Sequence, residues 1–297
     1  MAVALERDEP QPAGGASAVQ AAPRRIWLCA DDYAIAPGVN AAIRDLVLRG
    51  RLNATSVMAV APSFNRSEAI SLGILNAGSR KVAIGLHVTL TAPFRPLTPG
   101  FAPLAEGAFL PLEAMMQAAY LRKLQGELIA AEVRAQFAAF ATAFGRPPDF
   151  VDGHRHVHLL PRVRDAVLAA VKDLAPEAWV RQCAGTGPFL GRLSDPKGLL
   201  VDGMSWGLRR RASALGVATN PAFAGTYTYR DDADFATLFP HFLSVMPEGG
   251  LIMCHPGRVD AELERVDPLT TLREREYDYF LSEAFPRDLA ANGVTLA

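Results

Sequence analysis

The stretch Arg25–Asn40, RIWLCADDYAIAPGVN, decides how the rest of the chain is interpreted. Its first part, Ile26–Ala30, has the length and apolar composition of a short buried strand. Two aspartates, Asp31 and Asp32, end this run, and a helical stretch begins at Pro37. A buried strand followed directly by a helix is the first half of a β/α unit, in which parallel strands are covered by helices.

The same alternation of strand and helix continues along most of the chain. Further strands are predicted near Thr55–Val60, Val82–Val88, Phe150–His154, Trp179–Gln182, Leu251–His255 and Val294. Helical spacing of apolar residues predicts helices over Phe64–Leu75, Met116–Phe144, Val163–Leu174, Phe235–Met246 and Leu269–Phe285. Roughly six or seven β/α units indicate an α/β fold, a TIM-like (β/α) barrel that need not contain eight regular strands. An open, doubly wound sheet is the alternative.

The chain is expected to form one domain, residues 25–297, after a disordered tail, residues 1–24, that is rich in Ala, Gly, Pro and Gln. Two excursions interrupt the alternation, at residues 91–112 and 183–232. The first contains five prolines, and loops of this length are usually lids or binding loops. Its aromatic residues could present open ring faces to a ligand or form a small core of the loop itself; they are Phe94, Phe101 and Phe109.

Composition excludes several classes of partner. With 30 basic and 31 acidic residues the formal net charge is −1, so no overall field would attract nucleic acid or an anionic membrane. No apolar run approaches the roughly 18–20 residues of a membrane span. The three cysteines, Cys29, Cys183 and Cys254, are too widely spaced for a thiolate zinc site. We therefore expect a soluble, cytoplasmic protein, and leave open whether it is a homo-oligomer.

The positions of the histidines point to chemistry. His87, His154 and His255 each lie at or near the carboxyl end of a predicted strand, where Asp31 and Asp32 also lie. The carboxyl ends of the strands form the active-site face of an α/β barrel. Asp, His and His delivered to one face suit a divalent metal and leave coordination positions open for water and substrate. Taken singly, an Asp pair more often caps a helix, and a lone His is more often structural.

The segment Asp152–His158, DGHRHVH, is more specific. If it is extended, Asp152, His154, His156 and His158 share one face. Side chains two residues apart in a strand are about 6–7 Å apart, too far for three imidazoles to bind one ion. We expect one metal ligand here, with the other residues contacting that ligand or the substrate; a surface His-rich strand is the alternative. Arg181, at the end of its own strand, could pair with a catalytic carboxylate or form an ordinary ion pair.

Four motifs in register resemble the YdjC/ChbG-like carbohydrate deacetylases, relatives of the NodB-type polysaccharide deacetylases. The motifs are Ala30–Tyr33 (ADDY), Ile84–Thr91 (IGLHVTLT), Asp152–His158 (DGHRHVH) and Cys254–Gly257 (CHPG), and they span nearly all of residues 25–258. The resemblance implies a (β/α) barrel that removes N-acetyl groups from amino sugars. Where the family usually has Asp-Asp-Phe-Gly, this chain has Tyr33 and Ala34, so the turn after the aspartates is expected to differ.

Carried onto this chain, the resemblance implies one divalent metal bound by Asp32, His87 and His154. Magnesium or zinc is preferred, with manganese or cobalt as alternatives. It makes Asp31 the general base, His255 the general acid and Arg181 a partner of Asp31. Residues expected to contact the substrate or to support these groups are Tyr33, Asp152, His156 and His158. The partner is then a small-molecule carbohydrate.

Two rival functions remain at this point. A metal-dependent barrel could act on sugar phosphates, although phosphate chemistry often uses two metals about 3.5–4 Å apart and the motifs offer few further carboxylates. Alternatively, the barrel could bind metal or sugar without catalysis, in which case four protein ligands would close the metal site.

Overall fold

Residues 22–76, 82–186 and 196–297 are described by the computed structural model of the chain. Most of the predicted tail, residues 1–21, and part of the second excursion, residues 187–195, lie outside the described residues. The strands are β1 (Arg24–Tyr33), β2 (Ala54–Val57), β3 (Ala83–Val88), β4 (Leu104–Ala105), β5 (Ala108–Phe109), β6 (Phe150–Gly153), β7 (Trp179–Val180), β8 (Phe223–Ala224), β9 (Leu251–Cys254) and β10 (Val294–Leu296).

Helices follow most of these strands. They are α1 (Pro37–Leu48), α2 (Arg66–Leu75), α3 (Leu112–Tyr120), α4 (Gly126–Phe144), α5 (Val163–Leu174), α6 (Pro196–Leu215), α7 (Phe235–Val245), α8 (Ala261–Val266), α9 (Thr271–Leu281) and α10 (Ala284–Ala291). A short 3₁₀ segment, His154–Leu159, directly follows β6. Among the described residues, no helix is long and apolar enough to span a bilayer.

The main sheet is parallel and curls in the manner of a barrel. Its strand order is β7-β6-β3-β2-β1-β9-β8, with β10 paired to the beginning of β1. If the two ends of this order are joined, the strands follow one another in chain order around a ring. In a doubly wound sheet the later strands would instead extend outward from β1. The observed order confirms the TIM-like barrel with fewer regular strands and excludes the doubly wound alternative.

The two edges of the sheet approach each other. Val180 in β7 forms a parallel bridge with Thr219, and its N–H donates to the carbonyl of Ala218 at 2.9 Å. The N–H of Gln182 donates to the side-chain oxygen of Asn220 at 2.8 Å. These bonds join β7 to the segment that leads into β8, so the strand ends converge on one face.

Each of two helices predicted from the sequence is divided into two shorter helices in the structure. The helix predicted over Met116–Phe144 is interrupted between α3 and α4, where Arg122 adopts a positive φ of 58°. The apolar spacing continues across this break, because Leu124 is also buried, so spacing could not reveal it. The helix predicted over Leu269–Phe285 ends at Leu281, and Ser282 in extended conformation separates α9 from α10.

The two excursions contain more regular secondary structure than their sequences indicate. Residues 183–232 contain α6 and β8, so much of this segment belongs to the barrel itself. The Pro-rich loop contains the β4–β5 hairpin and is tied to α4 by Glu132, which accepts hydrogen bonds from the backbone and hydroxyl of Thr98. Its aromatic residues are all buried, as the loop-core alternative requires, so they offer no open stacking face: Phe94, Phe101 and Phe109.

Gly225 makes a close approach that no other residue permits. It has a φ of +105°, and a Cβ at this position would collide with the backbone of Met253 in β9. We expect Gly225→Ala to lower the free energy of unfolding by about 1–3 kcal/mol, because the added methyl must displace a sheet strand. Urea denaturation followed by circular dichroism measures this loss.

The matched control is Gly203→Ala within α6, where an added Cβ meets nothing within 4 Å. Alanine there should raise the free energy of unfolding by up to about 1 kcal/mol, because it favours the helix. Equal losses in both variants would contradict the close approach of β8 to β9.

Candidate active site

A turn at the end of β1 brings two consecutive aspartates to the same side. The pairing of β1 with β2 shifts register between Ala30 and Tyr33, and Asp32 has a positive φ of 67°. Ala34 adopts a φ of 82°, and its N–H donates to the side chain of Asn40 at 2.6 Å. The turn therefore forms with alanine in the left-handed region, at a cost that the surrounding structure must offset.

Asp32, His87 and His154 meet at one buried point. Oδ1 of Asp32 lies 3.2 Å from Nε2 of His87 and 3.0 Å from Nδ1 of His154. One potential ligand atom from each residue lies within 4.8 Å of the others. The three come from the ends of β1, β3 and β6, so three distant parts of the chain contribute.

The orientation of His87 is fixed by a second carboxylate. Nδ1 of His87 donates to Oδ1 of Asp152 at 2.6 Å, which leaves Nε2 directed toward Asp32. Burial opposes a positive charge on His87, but the carboxylates of Asp152 and Asp31 outweigh burial and raise its pKa to about 10. Among the described residues, Nε2 is buried and has no hydrogen-bond partner. With Nδ1 held by a carboxylate and Nε2 facing Asp32, the ring fits a metal ligand once a cation takes the place of the Nε2 proton.

The second oxygen of Asp32 is held by Arg273 of α9. The guanidinium donates to Oδ2 of Asp32 at 2.6 Å and to Asp267 at 2.7 Å. Burial alone would raise the pKa of Asp32, but Arg273 and His154 lower it well below its ordinary value. Asp32 is therefore ionised with one oxygen occupied by Arg273 and the other facing the histidines.

Asp31 forms a separate pair with Arg181. The two guanidinium nitrogens donate to the two carboxylate oxygens at 2.7 and 2.8 Å, and Arg181 also contacts Asp152 at 3.0 Å. Ser56 donates to Asp31 at 3.3 Å. Such a two-point pair fixes the plane of the carboxylate as well as its charge. The structure thus brings Asp31, Arg181 and Asp152 together, beside the Asp32–His87–His154 cluster.

The histidine-rich segment is not extended. Arg155 and His156 have φ values of 52° and 59°, so the chain bends sharply after β6 and the common face of an extended segment does not form. His158 instead donates Nε2–H to the carbonyl of Arg181 at 2.8 Å, and burial beside Arg181 lowers its pKa to about 3. His156 lies 3.5 Å from the thiol of Cys183. Of the three histidines, only His154 joins the cluster.

His255 follows β9 on the same face and is partly buried. Burial lowers its pKa, while Asp32 and Asp31 act in the opposite direction. Its backbone N–H donates to Glu276 of α9 at 2.5 Å. Burial raises the pKa of Glu276 to about 7.

Tyr33 lies in the packing between α1 and α2. Its ring is buried and its hydroxyl donates to Glu68 at 2.7 Å, with Arg44 donating to the same hydroxyl. The Tyr33 hydroxyl therefore both donates and accepts a hydrogen bond within the fold.

Several buried polar residues of the site were not predicted from the sequence. They are Ser56, Asp267, Arg273 and Glu276. Arg273 and Glu276 belong to the charged sequence TLREREYDYFL of α9, which is typical of a solvated helix. One sequence signal could have revealed their burial. Arg273 and Glu276 are three residues apart, which places them on the same helix face as the apolar side chains of Tyr277 and Phe280.

Comparison with known proteins identifies a family that matches most of the chain, and several similar relatives. The family described as "YdjC-like protein" matches residues 25–291. Chitooligosaccharide deacetylases of Yersinia pestis (strain Pestoides F) and Yersinia pseudotuberculosis (serotype O:1b, strain IP 31758) are each 31% identical over 144 residues, 48% of this chain and 54% of the relative. The matched part thus spans about half the length of these curated relatives.

A solved structure from Enterococcus faecalis V583, of a proposed cellobiose-phosphate cleavage protein, is also similar. It has a TM-score of 0.70 and 23% sequence identity, over 93% of this chain and 97% of that chain. At this identity the likeness concerns the fold.

The contacts of Arg273 predict a large effect on stability. Arg273→Met leaves Asp32 and Asp267 without their shared cation, so the free energy of unfolding should fall by about 3–5 kcal/mol. Urea denaturation of chelator-treated protein measures the loss. The control is Arg275→Met, two residues along α9, where the exposed guanidinium donates to two carbonyl oxygens and, within the described part of the chain, forms no salt bridge. Similar losses in both variants would show that the buried ion pairs are not responsible.

Proposed function

The chain belongs to the YdjC-like protein family, and on this premise we propose that it is a metal-dependent carbohydrate N-deacetylase. Such a hydrolase cleaves the acetamide of an amino sugar to acetate and a free amine. The observation that carries the proposal is the convergence of Asp32, His87 and His154 beside the Asp31–Arg181 pair. The chitooligosaccharide deacetylase relatives, which are matched over about half their length, support the carbohydrate substrate.

The residues present fit a divalent ion held by Asp32, His87 and His154. The fit rests on the buried Nε2 of His87, which has no hydrogen-bond partner in the described part of the chain, and on one carboxylate and two imidazoles within reach of one another. This donor set suits magnesium, zinc, manganese or cobalt. When bound, the ion supplies polarisation of the acetamide carbonyl and makes water a stronger nucleophile.

Asp31 is the proposed general base. It is a second carboxylate beside the cluster, and the two-point pair with Arg181 holds it in a fixed plane. In the proposed reaction, Asp31 takes a proton from the water that attacks the carbonyl carbon. Asp152 supports both groups, because it orients His87 and contacts Arg181.

His255 is the proposed general acid. The bond between the carbonyl carbon and the sugar nitrogen breaks, and His255 gives a proton to that nitrogen as it leaves. Its position at the end of β9, on the face where the β1, β3 and β6 ends meet, supports this role. His156, which is partly buried next to Cys183, remains a proposed substrate contact. His158 and Tyr33 are assigned to supporting the fold around the site.

An acetate-release screen tests the function. The purified protein is incubated with N-acetylated oligosaccharides and, separately, with sugar phosphates, each with and without a chelator. We expect acetate from the N-acetylated sugars and loss of this activity on chelation. Phosphate release without acetate would favour the sugar-phosphate hydrolase, and neither product together with tight sugar binding would favour a binding protein.

The ligand assignment predicts selective loss of metal. His87→Ala and His154→Ala should each reduce the bound divalent ion to well below one per chain, because two protein ligands hold an ion far more weakly than three. Elemental analysis after gel filtration measures the content. His241→Ala is the control, because His241 is exposed on α7. An unchanged metal content in both ligand variants would remove these residues from the metal site.

The acid–base assignment predicts a loss of turnover rather than a loss of metal. Asp31→Asn and His255→Ala should lower kcat by about 10²–10⁴-fold each, the usual contribution of a positioned proton-transfer group. Metal content and the thermal midpoint should remain close to wild type for His255→Ala. Acetate release under saturating substrate gives kcat, and full activity in either variant would exclude that residue from proton transfer.

A further inference from the structure

Tyr229 is an aromatic residue on the active-site face that the proposed reaction does not use. It lies in the connection between β8 and α7, which leaves the sheet at the carboxyl ends of the strands. The residue is 41% exposed, whereas the phenylalanines of the Pro-rich loop are all buried. The connection after β8 therefore offers the open aromatic side chain that the Pro-rich loop does not.

The hydroxyl of Tyr229 distinguishes it from the tyrosines that stabilise the fold. Four of the six tyrosines donate their hydroxyl to a carboxylate: Tyr33, Tyr227, Tyr277 and Tyr279. Within the described part of the chain, Tyr229 makes ring contacts and no hydrogen bond. The position of Tyr229 is thus not explained by a polar bond that holds the fold together.

Ring contacts hold Tyr229 beside the proposed general acid. Its ring meets the ring of His255 edge to face, with centroids 5.7 Å apart. Tyr227 also packs on Tyr229, with centroids 4.4 Å apart, and the hydroxyl of Tyr227 is fixed by a 2.6 Å bond to Glu276. The segment begins at Gly225, which lies directly on β9. The ring of Tyr229 is therefore anchored next to His255.

The charges that act on Tyr229 are those of the candidate active site. Burial of the hydroxyl and the neighbouring Glu276 raise the pKa of Tyr229 well above its ordinary value. Asp31 and Asp32 act in the same direction, and Arg273 opposes them. Tyr229 is therefore a neutral, partly exposed aromatic residue that shares its surroundings with the proposed base, acid and metal ligands.

We propose that Tyr229 contacts the substrate, with its ring stacked against the pyranose that carries the acetamide. This inference rests on the proposed function, in which His255 gives a proton to the sugar nitrogen. Nδ1 of the partly exposed His255 is buried, so Nε2 is the nitrogen available to a substrate. A sugar nitrogen that takes a proton from this atom lies about 3 Å from it. The pyranose attached to that nitrogen then lies within reach of the Tyr229 ring.

An aromatic ring suits this contact. A pyranose with equatorial substituents carries axial C–H groups on each face, which form a flat apolar surface. A tyrosine covers such a surface at a low cost in conformational entropy, because its side chain has few rotatable bonds. The preferred substrate is therefore a cyclic N-acetylated sugar, and an acyclic N-acetyl compound lacks the surface that Tyr229 covers.

Two substitutions separate the ring from the hydroxyl. Tyr229→Phe keeps the ring and removes the hydroxyl, whereas Tyr229→Ala removes both. The matched control is Tyr120→Ala, because Tyr120 is 47% exposed at the end of α3 and its neighbouring charge is Arg164 of α5. The full-length, magnesium-loaded proteins are compared.

Two measurements are made on each protein. Acetate release from di-N-acetylchitobiose gives kcat and KM. Saturation-transfer NMR during titration with the same sugar gives a dissociation constant and identifies the sugar protons that contact the protein. The NMR measurement does not depend on turnover.

We expect Tyr229→Ala to raise KM and the dissociation constant about tenfold, to weaken transfer to the axial ring protons and to change kcat less than about threefold. Tyr229→Phe and Tyr120→Ala should stay close to the wild type, because both keep the ring of Tyr229.

Three results would overturn the proposal. The first is a lower kcat in Tyr229→Ala with KM and the dissociation constant unchanged, because Tyr229 would then only support His255. The second is an equal loss of binding in Tyr229→Phe, because the contact would then be made by the hydroxyl. The third is a wild type that shows no contact with the sugar. Sugar binding without acetate release would count against the proposed function alone, and the dissociation constants would still test Tyr229.

Discussion

The site depends on the neutralisation of carboxylates that are buried next to one another. Asp31, Asp32 and Asp152 are each at most 2% exposed, and removing three such charges from water would be prohibitive without cations in contact. Arg181 compensates Asp31 and Asp152, and Arg273 compensates Asp32. The two fully buried arginines therefore make it possible for a strand end to carry two consecutive buried aspartates.

The barrel topology explains how these charges come together. The strand order brings the carboxyl ends of β1, β3, β6 and β9 to one face, and the bridge between Val180 and Thr219 draws the sheet edges toward each other. Arg181 follows β7, across the barrel from β1, whereas Arg273 enters from α9, near the end of the chain. No local segment could assemble both ion pairs, so the charged cluster and the curled sheet depend on each other.

Much of the fold could be predicted because buried parallel strands are continuously apolar and end in polar residues. The run Ile26–Ala30 ending at Asp31 is the clearest example, and the match of the YdjC-like family over residues 25–291 confirms the resemblance that the four motifs carried. The common face that an extended Asp152–His158 would have formed is absent, because two residues in the left-handed region bend the chain after Gly153. Backbone strain of this kind is imposed by tertiary contacts and leaves no periodic signal.

The sequence by itself determined the alternation of strands and helices, the placement of Asp31, Asp32, His87 and His255 at or just beyond strand ends, and the family. These features are local, since each depends on the order of apolar and polar residues within a short segment. Only the tertiary structure decided which buried charges meet, because an ion pair between residues 150 or 241 positions apart depends on how the sheet closes. Arg273 and Glu276 show this best: their sequence is that of a solvated helix, and the packing of α9 against the strand ends turned them inward.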